Sequence, residues 1–233
     1  MPNAAALQSN EILFEDNHLL VINKRAGLIT QGAPAGTPNL FELAKDYVRI
    51  KYNKPGNVYL GIVSRLDAKT TGVIVIARTS KSAARLSDQF RQHQPKKLYW
   101  AIVGSDRGTI ADEGQQEDWL IKDDAAMRMR CVTKSTEGAK FAKLSWRAIG
   151  KFQDKTILEI ELETGRKHQI RCQLAAMGFP ILGDRKYGSN DEFPSPGIAL
   201  HSKSIQLTHP TKNNLIRFEA EVPSYWKIAR YNL

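Results

Sequence analysis

The carboxylate of Asp67 has sequence neighbours that are typical of a functional site. Asp67 lies in a polar stretch, residues 64–72, between two apolar runs. The apolar runs predict short strands, and the polar stretch predicts a turn between them. Arg65 and Lys69 flank the carboxylate and would favour its ionised form, because nearby positive charge lowers the pKa of an acid. The stretch indicates a functional site, although Asp is also an ordinary turn residue.

Small residues complete this stretch. Thr70, Thr71 and Gly72 follow the carboxylate directly. Glycine in particular lets a backbone approach another group closely. We therefore expect a ligand to come near the backbone at this turn.

A second stretch, a hundred residues further on, combines cations with a histidine. Residues 164–188 read TGRKHQIRCQLAAMGFPILGDRKYG. Thr164 suits a helix N-cap and Gly178 suits a left-handed helix end, so the sequence predicts a helix between them. On that helix Arg171 lies three residues after His168 and shares its face. An arginine placed there can reach a carboxylate on a neighbouring strand.

Two other features of the same stretch have simpler explanations. His168 and Cys172 stand four residues apart, which is the spacing of a two-ligand metal half-site. No convincing further ligand stands nearby in the sequence, so we expect no metal. Asp184 follows a glycine and precedes Arg185, and we expect it to order its own loop and to pair with that arginine.

The amino-acid composition is typical of a globular protein and favours a polyanionic partner. The 233 residues include 34 Lys and Arg against 24 Asp and Glu, a formal net charge of +10, and 42% are hydrophobic. The positive excess suits nucleic acid, whose phosphates exchange counterions for protein charge. Two cysteines are too few for a disulfide framework, which fits a reduced cytoplasm. No apolar run approaches the roughly 20 residues of a membrane span, and the start of the chain does not resemble a signal peptide. We expect a cytoplasmic protein without a membrane partner.

The distribution of elements predicts the fold class. Helical spacing predicts helices over residues 37–51, with Thr37 as the cap, and over residues 80–92, and a strand follows at residues 96–104. Many short strands with few helices, and no regular alternation, favour an α+β domain with a mixed, mainly antiparallel β-sheet flanked by helices. We interpret residues 1–10 as a flexible tail and residues 11–233 as a single domain.

Together the two polar stretches resemble the signatures of the RluA family of RNA pseudouridine synthases. Those signatures read roughly H-R-L-D-x-x-T-S-G and T-G-R-x-H-Q-I-R-x-H-x-x-x-x-G-x-P-I-x-G-D-x-x-Y-G. A later L-H-A…H-P resembles residues 200–202 and 209–210. The resemblance covers about residues 11–222, and the long second signature is very specific.

The sequence departs from the family pattern at a few positions. Ser64, Thr71 and Gln173 stand where His, Ser and His are usual, and Arg25 stands where Pro is usual. None of these changes removes a residue that the chemistry requires. Many family members also carry an S4-type RNA-binding domain, for which residues 1–10 leave no room, so we expect the catalytic domain itself to contact RNA.

The resemblance implies the reaction and its main residues. Pseudouridine formation breaks the N1–C1′ bond of uridine, turns the uracil and joins C5 to C1′, so it implies an isomerase without cofactor or metal, working in a central active-site cleft. By resemblance Asp67 is the essential carboxylate, acting either as a nucleophile or as a base at the sugar. Arg171 matches the Arg of Q-I-R and would pair with Asp67. Tyr99 matches the family motif K-x-Y-x-A and would pack on the uracil.

Further cations would bind the RNA. Arg65 could fill the gap left by a flipped uridine. Phosphates would be bound by a second group of residues, which comprises Lys69, Lys97, Arg166, Lys167 and His168. The expected substrate is a stem-loop of ribosomal or transfer RNA, because such loops let bases splay out. We expect the protein to act as a monomer.

Two other functions are compatible with parts of the sequence. A non-catalytic RNA-binding protein on the same scaffold would explain the charge, but not the joint presence of Asp67, Tyr99 and Arg171. A glycoside-type hydrolase would use Asp67 with Asp184 or Glu163 as a carboxylate pair. The hydrolase would release free base, whereas the isomerase would not.

Overall fold

A computed structural model of the protein describes residues 6–104, 108–193 and 196–226. The helices of these residues are α1 (Leu40–Lys51), α2 (Ser80–Arg91) and α3 (Gln169–Ala176). The strands are β1 (Ile12–Glu15), β2 (Leu19–Lys24), β3 (Gly61–Ile62), β4 (Thr71–Ala77), β5 (Lys96–Val103), β6 (Glu113–Asp123), β7 (Arg128–Val132), β8 (Lys140–Phe152), β9 (Lys155–Leu162), β10 (Leu200–Thr208) and β11 (Leu215–Glu219). This content confirms the predicted α+β class.

The chain forms two compact units. Of the described residues, the first unit comprises those up to Pro95 together with Ser202–Glu221, and the second comprises those from Lys96 to His201 together with those from Val222 onward. No helix in the described parts of the chain is long and apolar enough to cross a membrane.

In the first unit the strand order is β1-β2-β4-β10, with β3 beside β4 and β11 beside β10. The pairs β1–β2, β2–β4, β3–β4 and β10–β11 are antiparallel. All seven residues of β4 are buried, which explains the unbroken apolar run over residues 73–77. Leu86 of α2 packs with Val73 and Val75 of β4, so this helix covers the strand that follows the Asp67 turn.

The helices of this unit begin close to their predicted positions. Helix α2 starts at Ser80 as expected, and the side chain of Thr79 caps it by accepting a hydrogen bond from Ser82 N. For α1 the prediction of Thr37 as the cap is wrong. Asn39 is the cap, and its side chain accepts from Glu42 N at 3.1 Å. The Thr37 N–H donates instead to the carbonyl of Pro34, which closes a turn before the helix.

The second unit is an antiparallel sheet in the order β5-β9-β8-β6-β7. Helix α3 packs on β6 and β7. Its buried residues Ile170 and Leu174 join the apolar faces of β5 and β9 in one core. Trp226 is fully buried in the same core, so the segment that follows β11 packs against this unit.

Candidate active site

Asp67 lies in a tight turn between β3 and β4. The carbonyl oxygen of Asp67 accepts a hydrogen bond from Thr70 N at 3.0 Å, which closes the turn. The Asp67 side chain is half-buried, whereas Arg65 and Lys69 on either side are exposed. The turn therefore carries the predicted carboxylate between two cations that face solvent.

The segment after β2 fixes the backbone of this turn. Buried Thr30 binds Leu66 twice, since its hydroxyl donates to the carbonyl at 2.7 Å and accepts from the N–H at 3.3 Å. The N–H of Gly27 donates to the carbonyl of Ala68 at 2.9 Å. Contacts on both neighbours of Asp67 leave its backbone little freedom.

Lys24 is a functional candidate that no sequence motif indicates. Its side chain is buried, and Nζ donates to the carbonyl oxygens of Arg25, Leu28 and Ala68 at 3.0, 3.0 and 3.1 Å. Burial lowers the pKa of Lys24 to about 7, against the opposing effect of the Asp67 carboxylate, which favours the ammonium. No local sequence pattern identifies it, because its burial depends on the pairing of β2 with β4, in which Lys24 lies opposite Gly72.

Gly72 has a different role from the one expected. Its φ is +106°, and a Cβ at this position would lie 2.2 Å from the carbonyl oxygen of Ser202 in β10. Thr70 and Thr71 are buried beside it. The close approach predicted here is made by the neighbouring strand, which explains the need for glycine without a ligand.

Helix α3 begins later than predicted. Its first residue is Gln169, and His168 occupies the N-cap position with a left-handed φ of 52°. Thr164 is therefore not the cap. Its hydroxyl donates to Gln169 Oε1 at 2.8 Å and accepts from Lys143 N at 2.9 Å, which ties the preceding loop to β8. The predicted left-handed end at Gly178 is confirmed by its φ of 89°.

Arg171 forms a buried, two-point ion pair with Asp184. Arg171 Nε donates to Asp184 Oδ2 at 2.7 Å, and Nη2 donates to Oδ1 at 2.9 Å. The two residues are 4% and 0% exposed. The expected pairing of Asp184 with Arg185 is wrong, because Arg185 is exposed and pairs with Glu192 instead. A pairing of Arg171 with Asp67 stays a prediction.

Tyr187 completes the surroundings of Arg171. The guanidinium carbon lies 4.9 Å from the centre of the Tyr187 ring. The hydroxyl accepts a hydrogen bond from Met129 N at 2.9 Å and lies 2.8 Å from His168 Nδ1. Burial raises the pKa of Tyr187 to about 12, so the hydroxyl keeps its proton at neutral pH and can donate a hydrogen bond to His168 Nδ1. His168, expected to bind RNA, thus contacts a buried tyrosine of its own unit.

The other predicted residues of this unit lie on β5 and in the loop before α3. Tyr99 is half-buried and pairs in register with Ile160 of β9. Lys97 is half-buried, and burial together with the positive charge of Arg166 lowers its pKa. Arg166 is fixed through a hydrogen bond from Nε to the carbonyl of Phe141 at 2.9 Å, while Lys167 is exposed.

Two departures from the family pattern are accommodated locally. Gln173 is fully buried, and its Nε2 donates to Asp118 Oδ2 at 2.9 Å and to the carbonyl of Gln116 at 3.2 Å. Arg25 pairs with Glu11 at 2.8 Å. Neither change alters a predicted catalytic residue.

The two cysteines lie close together. Cys131 of β7 and Cys172 of α3 are free thiols, and their sulfurs are 3.7 Å apart. In the described parts of the chain no three His, Cys, Asp or Glu side chains are grouped so that they could bind a metal.

Comparisons with known proteins agree on one family. Residues 18–176 match the family described as RNA pseudouridylate synthase. Ribosomal large subunit pseudouridine synthase D of Nitrosomonas europaea is 34% identical over 91% of this chain, and the match covers 62% of that relative's length. The dual-specificity RNA pseudouridine synthase RluA of Haemophilus influenzae is 31% identical, and the match covers 91% of this chain and 92% of the relative.

A solved structure supports the same fold. The structure of human RNA pseudouridylate synthase domain containing 4 matches with a TM-score of 0.77 at 23% identity, over 94% of this chain and 91% of the human one. Fold and comparisons together define an RNA-modifying isomerase. The chain belongs to the RNA pseudouridylate synthase family, which confirms the resemblance found in the sequence.

Proposed function

We propose that this protein isomerises uridines in stem-loops of ribosomal or transfer RNA, with Asp67 as the essential carboxylate. The observation that carries the assignment is the construction of the Asp67 turn. Thr30 and Gly27 bind its backbone on both sides of the carboxylate, and the buried Nζ of Lys24 binds Ala68. A reacting group must be placed accurately, and this turn is rigid where the carboxylate is attached.

Two residues of the second unit complete the proposed catalytic set. Arg171 would stabilise the ionised form of Asp67, because a close guanidinium favours a carboxylate over a carboxylic acid. Tyr99 would pack on the uracil ring. Either mechanism for Asp67, nucleophilic attack at the sugar or removal of a sugar proton, requires the ionised form. No cofactor or metal enters the proposed reaction, because its net change exchanges an N1–C1′ bond for a C5–C1′ bond within one nucleotide, without oxidation or reduction.

Exposed cations around these residues would bind the RNA backbone. Arg65 would occupy the gap left by the flipped uridine. Lys69 and Lys167 are exposed and would bind phosphates together with Lys97, Arg166 and His168. The N. europaea relative is named for the large ribosomal subunit and the H. influenzae relative for dual specificity, which supports ribosomal and transfer RNA as the substrate classes.

The protein is proposed to work as a cytoplasmic monomer, with residues 11–233 as its catalytic domain. Of the predicted tail, residues 1–5 lie outside the described residues. RNA in ribosomes and transfer RNA is available in that compartment. The formal charge of +10 suits such a partner.

The alternative functions are less well supported. A hydrolase would need a second carboxylic acid that reaches the substrate. Asp184 is fully buried with both oxygens bonded to Arg171, and Glu163 is exposed and paired with Lys143. A non-catalytic RNA-binding protein is not favoured, because the chain retains the residues that match the family's catalytic positions.

The test uses RNA labelled with tritium at uridine C5. Joining C5 to C1′ releases the label, so purified wild-type protein should release tritium from unmodified transfer or ribosomal RNA, without added metal or cofactor. Asp67→Asn should release none, and the exposed control Asp88→Asn should match wild type. Salt-dependent RNA binding by wild type without tritium release from either RNA would favour the binding-protein alternative. Release that persists in Asp67→Asn would refute the assignment of the carboxylate.

A further inference from the structure

The guanidinium of Arg171 is fixed by residues that lie outside the proposed catalytic set. Asp184 binds its Nε and Nη2 in parallel at 2.7 and 2.9 Å. Such a fork determines the plane of the guanidinium as well as its position. The ion pair with Asp184 therefore also fixes the direction of the remaining nitrogen, Nη1, although the Arg171 side chain is flexible by itself.

A ring restricts the same guanidinium from its face. Tyr187 lies 4.9 Å from the guanidinium carbon, and its hydroxyl is bonded to Met129 N and His168 Nδ1. These bonds connect the ring to β7 and to the N-cap of α3. The ring therefore cannot turn away without breaking contacts to two elements.

One short turn supplies both groups. Residues Arg185–Tyr187 form a 3₁₀ helix that follows Asp184, and Tyr187 N donates to the carbonyl of Asp184 at 2.9 Å. The Asp184 N–H donates in turn to the carbonyl of Ile181 at 3.0 Å. A carboxylate and an aromatic ring three residues apart thus meet the same guanidinium from two directions.

Stability alone is a poor explanation of this arrangement. Taking an arginine and an aspartate out of water carries a large desolvation penalty, and a buried ion pair often adds no more stability than well-packed apolar residues. The pair does provide a charged group in one fixed orientation. That property is needed for catalysis and not for packing.

We propose that Asp184, supported by Tyr187, is a positioning residue that orients Arg171 for uridine isomerisation. This inference rests on the proposed function, since it assigns Asp184 an effect on the reaction only through Arg171. Asp184 is fully buried and bonded to Arg171, so it would act without touching the RNA.

The experiment is a double-variant cycle with Arg171→Met and Asp184→Asn, read out as the rate of tritium release and as KM for RNA. Asp184→Asn should lower kcat by roughly 10- to 100-fold, the usual loss when a group that orients a functional residue is removed, with KM changed less than about threefold. In the Arg171→Met background the same substitution should change kcat less than about twofold, because residues that act as one unit are not additive.

Matched variants separate positioning from folding. Arg185→Gln, in the exposed neighbour of Asp184, should keep wild-type kcat. Tyr187→Phe keeps the ring on Arg171 but loses both hydroxyl contacts, and we expect a loss of roughly 3- to 10-fold, smaller than that of Asp184→Asn. Each kcat is measured well below the variant's own melting temperature. Should Asp184→Asn fail to fold, the cycle is repeated with Asp184→Glu, which keeps the charge but moves the carboxylate by one methylene and should lower kcat when Arg171 is present but not in the Arg171→Met background.

The outcomes distinguish this inference from the function beneath it. Loss of activity in Arg171→Met with wild-type kcat in Asp184→Asn would overturn the positioning role and leave the proposed function intact. Equal kcat losses from Asp184→Asn with and without Arg171 would also overturn it, because Asp184 would then act independently of the arginine. Absence of tritium release from the wild-type protein would overturn the proposed function, and this inference with it.

Discussion

Lys24 donates a hydrogen bond from its buried Nζ to the carbonyl oxygen of Ala68, the residue next to Asp67, at 3.1 Å. Two other carbonyls, of Arg25 and Leu28, accept from the same nitrogen. Three acceptors match the three N–H bonds of an ammonium group. The first unit thus places a buried lysine Nζ beside the turn that carries the proposed catalytic carboxylate, and this group is a cation only below its pKa of about 7.

Lys24 should make the stability of the protein depend on pH. Its pKa is about 7 in the folded state against 10.5 for an ordinary lysine, so between these values the unfolded state binds a proton that the folded state does not. The free energy of unfolding therefore rises with pH across this window, by an amount on the order of 4 kcal/mol. Lys24→Met should remove this rise.

Urea unfolding of both proteins at pH 7 and pH 10 measures the effect. The quantity of interest is the change in stability of wild type minus that of Lys24→Met, because the other titrating groups cancel in this difference. Lys167→Met, in an exposed lysine, serves as the control and should behave like wild type. Equal pH dependence in wild type and Lys24→Met would show that Lys24 titrates normally in the folded protein.

Gly72→Ala should be strongly destabilising. The added Cβ would lie 2.2 Å from the carbonyl oxygen of Ser202, and the backbone φ of +106° is unfavourable for any side chain. We expect a loss of about 3 kcal/mol or more, as for other forced overpacking combined with backbone strain. Gly56→Ala is the matched control, because an added Cβ there meets no atom within 4 Å.

Thermal unfolding of the two alanine variants tests this expectation. Gly72→Ala should melt well below wild type, whereas Gly56→Ala should melt near it. A Gly72→Ala protein as stable as wild type would mean that β4 and β10 can separate to admit a methyl group.

Local sequence patterns accounted for elements and for residues with local partners. The apolar run predicted the strand β4, and helical spacing predicted the start of α2 at Ser80. Where two polar residues compete for a cap, the pattern could not choose: Thr37 and Asn39 are both suitable, and the turn closed by Pro34 decides between them. The signature of the family located Asp67 and Arg171 because it is read from letters alone.

Contacts between residues that are distant in the sequence could not be predicted from local patterns. The sequence offers Asp184 an adjacent arginine, Arg185, yet its partner is Arg171 on α3, thirteen residues away. The buried state of Lys24 likewise depends on the loop around Leu28 and on the Asp67 turn, which is more than forty residues distant. These relationships arise only when the strands have paired.

Lys69 should contribute to RNA binding through charge alone. It is exposed beside Asp67 and is proposed to bind a phosphate. Lys69→Gln should weaken binding of all RNA sequences similarly and should lower the slope of log K against log salt by roughly 0.7 to 1, the value for one lost phosphate contact. Fluorescence anisotropy between 50 and 200 mM salt measures both quantities.

Arg91→Gln is the control for this prediction. Arg91 is also exposed, but it pairs with Asp88 on α2 and lies outside the proposed interface. Its slope should equal that of wild type. A Lys69→Gln protein with an unchanged slope would remove Lys69 from the proposed RNA-binding surface.

The thiols of Cys131 and Cys172 should form an intramolecular disulfide when an oxidant is supplied. Their sulfurs are 3.7 Å apart, and the hydrogen bond between them raises the pKa of Cys131 and lowers that of Cys172, which favours a thiolate at Cys172. Diamide would accept two electrons and two protons as the S–S bond forms. The bond would join β7 to α3 across 41 residues, with a stabilisation of up to about 4 kcal/mol from the restricted unfolded chain.

Mass spectrometry and thermal unfolding after diamide treatment test this prediction. We expect a monomer two hydrogens lighter than the reduced protein, with a higher melting temperature that dithiothreitol reverses. Cys131→Ser should show neither change, because Cys172 is 3% exposed and has no second thiol within the chain. Recovery of two titratable thiols after treatment would mean that β7 and α3 do not permit the sulfurs to approach to bonding distance. A rise in the melting temperature of Cys131→Ser would show that the oxidant stabilises the protein by some other effect.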